Sequence, residues 1–194
     1  TLCFMIIAIL FFILSLFLKF DHFDNFSHWG IVVKNMLTNH RFPEARDMLI
    51  AFKDYPLGMS SLIYYFCLFL GNNQGIMIMC QNMFIFSCFY AMFGIIEEKK
   101  RFLLYVILST GCTFMIYLNI TIRIQNLLVD FILPLLTLAI CSYIYHQRDD
   151  LMSALYLIPL LGFLTVIKEI GYFFMLIAFI YWQWYCWHSS VSLM

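Results

Sequence analysis

Long apolar runs alternate with short polar clusters along this chain, and the runs have the length of membrane-crossing helices. A helix crosses the hydrocarbon core of a bilayer with about 20 apolar residues, in a range of about 17–25. The runs that approach this length without an Asp, Glu, Lys or Arg are 2–18, 76–96, 102–118, 131–146, 151–167 and 170–187. The pattern therefore predicts an all-α, polytopic helical membrane protein with about six transmembrane helices.

A shorter apolar run, 59–70, decides the predicted topology. It has 12 residues, and runs of about 10–14 are more often interfacial or re-entrant than membrane-spanning. If this run does not cross, the loop 20–58, the segment 119–130 and residues 168–169 share one face of the membrane. If it crosses, the loop is separated from the other two. We expect the first arrangement, because it gathers the isolated charges at one site.

Composition supports a membrane location and excludes several classes of protein. Hydrophobic residues make up 64% of the 194 positions and charged residues 11%, against about 45–50% and about 25% in soluble domains. Too few polar side chains remain to cover a soluble globular enzyme, and the net charge of zero gives no basis for binding nucleic acid. We therefore expect one integral membrane domain over 1–194, with membrane lipid as a partner and no nucleic acid. The chain begins with Thr1 inside an apolar run, as a fragment of a longer protein would.

The polar loop 20–58 carries most of the candidate chemistry, since it holds nine of the 22 charged residues. Apolar residues recur at helical spacing after Ser27, which predicts an interfacial amphipathic helix with Ser27 as its N-cap. Asp21 and Asp24 precede that helix, whose positive end favours an anionic group. A carboxyl group at a low-dielectric boundary has a raised pKa and suits a general base. The alternative is that both acids are solvated residues of a loop.

Three short motifs lie in the segments that the expected topology brings to one face. Residues 24–30 read DNFSHWG and are followed by Lys34 and by YPLG at 55–58, residues 122–130 read IRIQNLLVD, and residues 166–171 read VIKEIG. In this order the motifs resemble those of the GT-C glycosyltransferases, polytopic enzymes that include protein O-mannosyltransferases and the aminoarabinose transferases of lipid A. Similar bacterial members carry a second acid at the position of Asn25 and a second proline at that of Leu57.

The resemblance implies an activity and a location. Enzymes of this superfamily transfer a sugar from a polyprenyl-phosphate donor to an acceptor hydroxyl on the non-cytoplasmic face, and the loop 20–58 corresponds to their first external loop. The chain is then a protein of the bacterial plasma membrane whose active site faces outward, with the polyprenyl-phosphate-linked sugar as its partner. The seven Lys and Arg residues on this face would by the positive-inside rule be cytoplasmic. The resemblance accounts for them as ligands of a lipid-linked phosphate.

The resemblance also implies roles for single residues. Asp24 would be the base that deprotonates the acceptor hydroxyl, with Asp21 in reserve. The cations that would bind the donor phosphate are Arg123, Lys168 and Lys34. The supporting residues are His28, Trp29, Tyr55, Asp130 and Glu169. No metal ligand is assigned, although the histidines of the loop leave a divalent cation open as a cofactor.

Two other functions stay open at the level of sequence. One is a non-enzymatic transporter or flippase-like protein, and the other is a catalytically inactive GT-C relative, because Asn25 replaces an acid. A transporter predicts ionisable residues at mid-membrane on several helices. The ionisable residues of this chain lie at the ends of the predicted helices, which favours the glycosyltransferase.

Overall fold

The computed structural model describes residues 2–96, 101–117, 125–146 and 153–191, and within these ranges the fold is all-helical. The helices are α1 (Leu2–Ser15), α2 (Phe23–Ser27), α3 (Trp29–Asn39), α4 (Gly58–Leu70), α5 (Gln74–Met92), a 3-10 turn (Phe93–Ile95), α6 (Phe102–Tyr117), α7 (Ile132–His146), α8 (Ser153–Ile167) and α9 (Gly171–Val191). The predicted all-α class is confirmed. Each of the six long apolar runs forms a helix with ends within a few residues of the predicted ones.

Helices α1 and α5 are antiparallel, and this orientation fixes where the loop lies. Phe4, near the start of α1, packs its ring 5.6 Å from that of Tyr90 near the end of α5. At the other end of the pair, the backbone N–H of Phe20 donates to Oε1 of Gln74 at 3.1 Å. The segment 16–73 therefore leaves the bundle and returns to it at the same end. Helix α4 lies within this segment and does not cross the bundle, as the expected topology requires.

The core of the bundle is formed by α5 and α7. Helix α5 packs against α1 and α7, α7 also packs against α9, and α9 packs against α8. Fully buried side chains such as Met77, Phe89, Leu135 and Ile140 fill the space between these helices. The outer faces of the surrounding helices are apolar as well. Large hydrophobic side chains are exposed there, among them Ile6, Leu10, Ile13, Leu103, Ile107, Ile158, Phe173, Leu176 and Ile180.

One helical stretch among the described residues meets the length and hydropathy that a membrane span needs. It runs over Gln74–Ile95, has 22 residues and a mean hydropathy of 1.7, and more than half of it is buried in the bundle. The other apolar helices found by the same measure have 10–17 residues, which at 1.5 Å per residue is shorter than a hydrocarbon core of about 30 Å. The six transmembrane spans stay a prediction.

The N-cap predicted at Ser27 is wrong. Ser27 ends the short helix α2, and α3 begins two residues later at Trp29, with His28 between the two helices. The side chain that caps a helix here is that of His22, whose Nδ1 accepts the backbone N–H of Asp24 at 3.2 Å. The predicted apolar stripe of α3 is present, because Trp29, Val32, Val33 and Met36 are all buried.

Candidate functional site

Four segments that are far apart in the sequence meet at the end of the bundle where the loop lies, which we call the loop end. They are residues 20–30, 52–58, 125–131 and 166–171, and together they contain the described parts of the three motifs. Arg123 belongs to the second motif but lies outside the described residues, so its predicted phosphate contact stays a prediction. The contacts between these segments show which motif residues hold the fold together and which could contact a ligand.

Asn25 joins the first segment to the third through a cluster of buried amides. Its Nδ2 donates to Oδ1 of Asn126 at 2.7 Å, and its Oδ1 accepts the backbone N–H of Leu127 at 2.9 Å. Gln81 of α5 donates to the backbone carbonyl of Asn126 at 2.6 Å. Asn25, Asn126 and Gln81 are all buried. The loop end is thus connected to the core helix α5 by hydrogen bonds.

The contacts of Asn25 explain why an amide and not an acid occupies this position. The backbone N–H of Leu127 can only donate, so an oxygen of residue 25 must face it. The other terminal atom then faces Oδ1 of Asn126, which also accepts the backbone N–H of His22 at 3.3 Å. That atom must therefore be a donor. A carboxylate here would place two acceptors against each other in a buried site, which is costly.

Two motif glycines allow the segments to approach each other. A Cβ atom on Gly30 would lie 2.6 Å from the Phe20 ring and 2.7 Å from the carbonyl oxygen of Asn25. A Cβ atom on Gly58 would lie 2.6 Å from the carbonyl oxygen of Val166. Because real Cβ contacts are not this short, larger residues at either position would push the loop away from α2 or α8.

His28 is buried at the centre of an aromatic cluster. Its side chain is 1% exposed. The ring centroid of Trp29 lies 4.5 Å away, that of Tyr55 5.3 Å and that of Phe52 5.8 Å, all in edge-on orientations. Phe52 and Tyr55 stack on each other at 5.0 Å with planes 15° apart. The predicted supporting residues His28, Trp29 and Tyr55 are therefore in mutual contact.

The imidazole of His28 is unpaired within the described part of the chain. Neither Nδ1 nor Nε2 has a hydrogen-bond partner there. Leaving a buried polar group unpaired costs about 1–3 kcal/mol. Burial lowers the pKa of His28 to about 4, while nearby Asp24 acts to raise it and nearby Lys168 acts to lower it. The ring is therefore neutral at pH 7, with one donor and one acceptor free for a ligand.

Lys168 and Asp130 form an ion pair at the loop end. The Nζ atom of Lys168, in the turn between α8 and α9, lies 2.6 Å from Oδ1 of Asp130, in the turn before α7. Both side chains are partly exposed, so the pair is accessible to a charged ligand. An ammonium group has three donors, and this ion pair occupies one of them. Glu169 is exposed in the same turn.

The two candidate bases differ in their surroundings. Asp24 lies in the first turn of α2, close enough to His28 to influence its pKa. Its side chain is 41% exposed, with a carboxylate oxygen 3.7 Å from Nδ1 of His22. Asp21 is exposed and accepts a hydrogen bond from the side chain of Gln125. Asp24 is thus the candidate base that lies beside the buried histidine.

Lys34 does not lie with the other candidate residues at the loop end. It lies on the face of α3 opposite the buried stripe and lines a groove of about 400 Å³ with Arg46 and Asp47. In that part of the loop, Arg41 donates two hydrogen bonds of 2.8 Å to Asp47 and holds the pKa of that carboxyl group well below its usual range. The groove is stabilised by its own ion pairs and is separate from the loop-end cluster.

The described residues contain no group of three His, Cys, Asp or Glu side chains that could hold a metal ion. His40 ends α3, twelve residues after His28, which corresponds to about 18 Å along a helix. His40 therefore does not lie beside His28 as a second metal ligand.

Comparisons with protein-family models, with curated proteins and with solved structures find no match for this chain.

Several residues of the site were not predicted from sequence. Asn126 and Gln81 are uncharged polar residues inside or beside apolar runs. Such residues often form buried hydrogen bonds, but a search for charged residues does not find them. Phe52 could not be singled out from the sequence, because aromatic residues are common in loops. The predictions did single out His28, but its burial and unpaired nitrogens follow only from the packing.

Proposed function

We propose that this chain is a polytopic membrane glycosyltransferase, or a module of one, that transfers a sugar from a polyprenyl-phosphate donor to an acceptor hydroxyl. One observation carries the proposal. Asp24, the buried neutral His28 and the Lys168–Asp130 ion pair lie together at the loop end. A carboxylate base and an accessible cation are the components that such a transfer needs.

The surface of the bundle supports a membrane location with more spans than the one long apolar helix. Soluble monomers rarely expose contiguous apolar patches of more than a few hundred Å². Here large hydrophobic side chains are exposed along α1, α6, α8 and α9, which surround the core. Lipid is the solvent that makes such a surface stable. In this proposal the six long helices all cross the bilayer and the loop end lies at one interface.

The proposed reaction assigns one role to each group. Asp24 accepts the proton of the acceptor hydroxyl as its oxygen attacks the anomeric carbon of the sugar. A new bond forms between this carbon and the acceptor oxygen, while the bond to the lipid phosphate breaks and its electron pair leaves with the phosphate. Lys168 then stabilises the charge on the departing phosphate. Attack opposite to the leaving phosphate inverts the configuration of the anomeric carbon.

The proposal is tested with Asp24→Asn in membranes that contain the expressed chain. Transfer of radiolabelled sugar from a panel of polyprenyl-phosphate sugars to endogenous acceptors is compared with membranes that lack the chain. We expect at least a hundredfold loss of transfer with unchanged expression and membrane insertion, because general-base catalysis contributes about 10²–10⁴-fold. Asp54→Asn, an exposed acid of the same loop, is the matched control. Full transfer by both Asp24→Asn and Asp21→Asn would show that the base is neither of these residues.

A further inference from the structure

The most unusual group at the loop end is the imidazole of His28, and the proposed transfer step does not use it. The ring is enclosed, uncharged at pH 7 and has both nitrogens free among the described residues. The hydroxyl of the neighbouring Ser27 is also buried without a hydrogen-bond partner there. Polar groups in a closed apolar site are normally paired, so these adjacent groups indicate a place for a ligand.

We propose that His28 binds a hydroxyl group of the donor sugar, and that Phe52 and Tyr55 cover the imidazole until the sugar enters. This inference rests on the proposed function and names the group that recognises the sugar. It separates the binding of the sugar, at His28, from the binding of the lipid phosphate, at Lys168.

The chemistry of a neutral imidazole favours a hydroxyl over a phosphate. One ring nitrogen donates and the other accepts, and a hydroxyl group can both accept and donate. A phosphate offers acceptors only and binds best to cationic donors, which Lys168 supplies nearby. The charged groups that act on His28 are Asp24, which favours its protonation, and Lys168, which opposes it. Burial has the largest effect on the pKa of His28 and keeps the ring in the neutral form that suits a hydroxyl.

The aromatic residues around His28 are those expected beside a sugar. Carbohydrate rings have apolar faces formed by C–H groups, which pack against aromatic side chains, and hydroxyl edges, which need polar partners. Trp29, Phe52 and Tyr55 supply the aromatic surfaces next to His28.

Two side chains, those of Phe52 and Tyr55, cover the imidazole of His28. Phe52 is 49% exposed, so about half of its surface is not packed against other residues. The neighbouring backbone is attached by a hydrogen bond of 2.9 Å from the N–H of Ala51 to the carbonyl of Ser27. Moving the Phe52 side chain leaves this bond intact and breaks its stack on Tyr55 and its edge-on contact with His28. The entering sugar ring would replace Phe52 as the stacking partner.

The test measures binding to the full chain in phosphatidylcholine nanodiscs. The radiolabelled probes are bare polyprenyl phosphate, the same lipid carrying glucose, mannose or N-acetylglucosamine, and octyl glucoside as a neutral glycoside. We expect at least one glycosylated lipid to bind tenfold or more tightly than the bare lipid. His28→Phe removes this preference and leaves the affinity for bare polyprenyl phosphate unchanged. His28→Asn retains part of the preference, because an amide still donates and accepts.

His40→Phe, at an exposed position outside the cluster, is the matched control and keeps the full preference. Retention of the sugar preference by His28→Phe overturns the inference, as does the absence of any sugar preference in the unmodified chain. Failure of the proposed function has a different signature, which is that bare polyprenyl phosphate binds without dependence on Lys168. Octyl glucoside binding that depends on His28 in such a protein would support the sugar site and reject the transferase.

Discussion

The side-chain amide of Asn25 donates a 2.7 Å hydrogen bond to Oδ1 of Asn126, a residue 101 positions further along the chain. With the bond from the N–H of Leu127 to Oδ1 of Asn25, it holds the acidic loop against the segment that leads into α7. The amide of Asn25 is therefore a structural residue of this site.

Asn25→Asp tests this role. The carboxylate would face an acceptor on Asn126 in a buried site, so we expect a loss of about 1–3 kcal/mol in the free energy of unfolding. Thermal denaturation in detergent measures the change. Asn72→Asp, at an exposed position in the turn before α5, is the control and should lower stability by less than about 0.5 kcal/mol. Equal stability of the two variants contradicts the proposed reason for an amide at position 25.

The buried His28 predicts a loss of stability in mild acid. Its pKa is about 4 in the folded chain and 6.5 when unfolded, so the unfolded state binds a proton first as the pH falls. Stability therefore declines between about pH 6.5 and pH 4, by about 2 kcal/mol for this group at pH 4.5. The measurement is the difference in melting temperature between pH 7 and pH 4.5. His28→Asn should lose this component and His40→Asn should keep it; the same pH dependence in all three proteins would be contrary to the prediction.

The cover over His28 predicts a change in chemical reactivity. Diethyl pyrocarbonate modifies neutral, accessible imidazoles, so exposed His40 should react and enclosed His28 should not. Phe52→Ala removes one of the two covering rings, and we expect modification of His28 to rise at least fivefold in that variant. Mass spectrometry of digested protein locates the modified residues, with His40 as the internal reference. Full reactivity of His28 in the unmodified chain would show that the imidazole is not covered.

The Lys168–Asp130 pair predicts how phosphate binding responds to charge. Asp130→Asn keeps an acceptor for Lys168 but removes the negative charge that repels an anionic ligand. We expect polyprenyl phosphate to bind several-fold more tightly, with a change in stability below about 1 kcal/mol, since partly exposed ion pairs contribute little. Lys168→Met should lose most of this binding. Weaker binding in Asp130→Asn would mean that the carboxylate orients Lys168 more than it repels the phosphate.

The arrangement of the helices predicts which positions share a face of the membrane. Short accessible tags inserted at positions 22, 124 and 169 should react with the same membrane-impermeant reagent, and a tag at position 99 only after permeabilisation or from the other side. Residue 22 and residue 169 adjoin the contacts that define the loop end, whereas α5 carries the chain to the opposite end. Labelling of 22 and 99 from the same side is incompatible with a span at α5.

Hydropathy alone was enough to find the six long helices of this protein. Six apolar runs became six helices because backbone groups in a continuous apolar stretch satisfy their hydrogen bonds locally, within the helix. The apolar stripe of α3 was likewise visible as a spacing between residues close in sequence. The short run that forms α4 begins beside Val166 and is followed by Gln74, which contacts Phe20, so it starts and ends at the loop end. Its place at the membrane interface stays a prediction.

The candidate site was predictable only as a set of residues. Asp24, His28, Lys168 and Asp130 were chosen for their chemical types and motif context, and the structure brings them to one end of the bundle. Their pairing could not be predicted, because contacts over 38 to more than 100 positions depend on how helices pack and not on local spacing.

The sequence by itself thus determined the helical class, the helix positions and the residues with reactive side chains, since these depend on local composition and periodicity. Only the tertiary structure decided that Asn25 is buried and joins two distant segments by hydrogen bonds. It also decided that Asp130 pairs with Lys168 and that Lys34 faces another groove. Most of all, it decided that His28 is enclosed and that neither ring nitrogen is paired with another described residue. The physical reason is that burial and hydrogen-bond satisfaction are properties of all the segments packed around a residue, and no single stretch of sequence contains them.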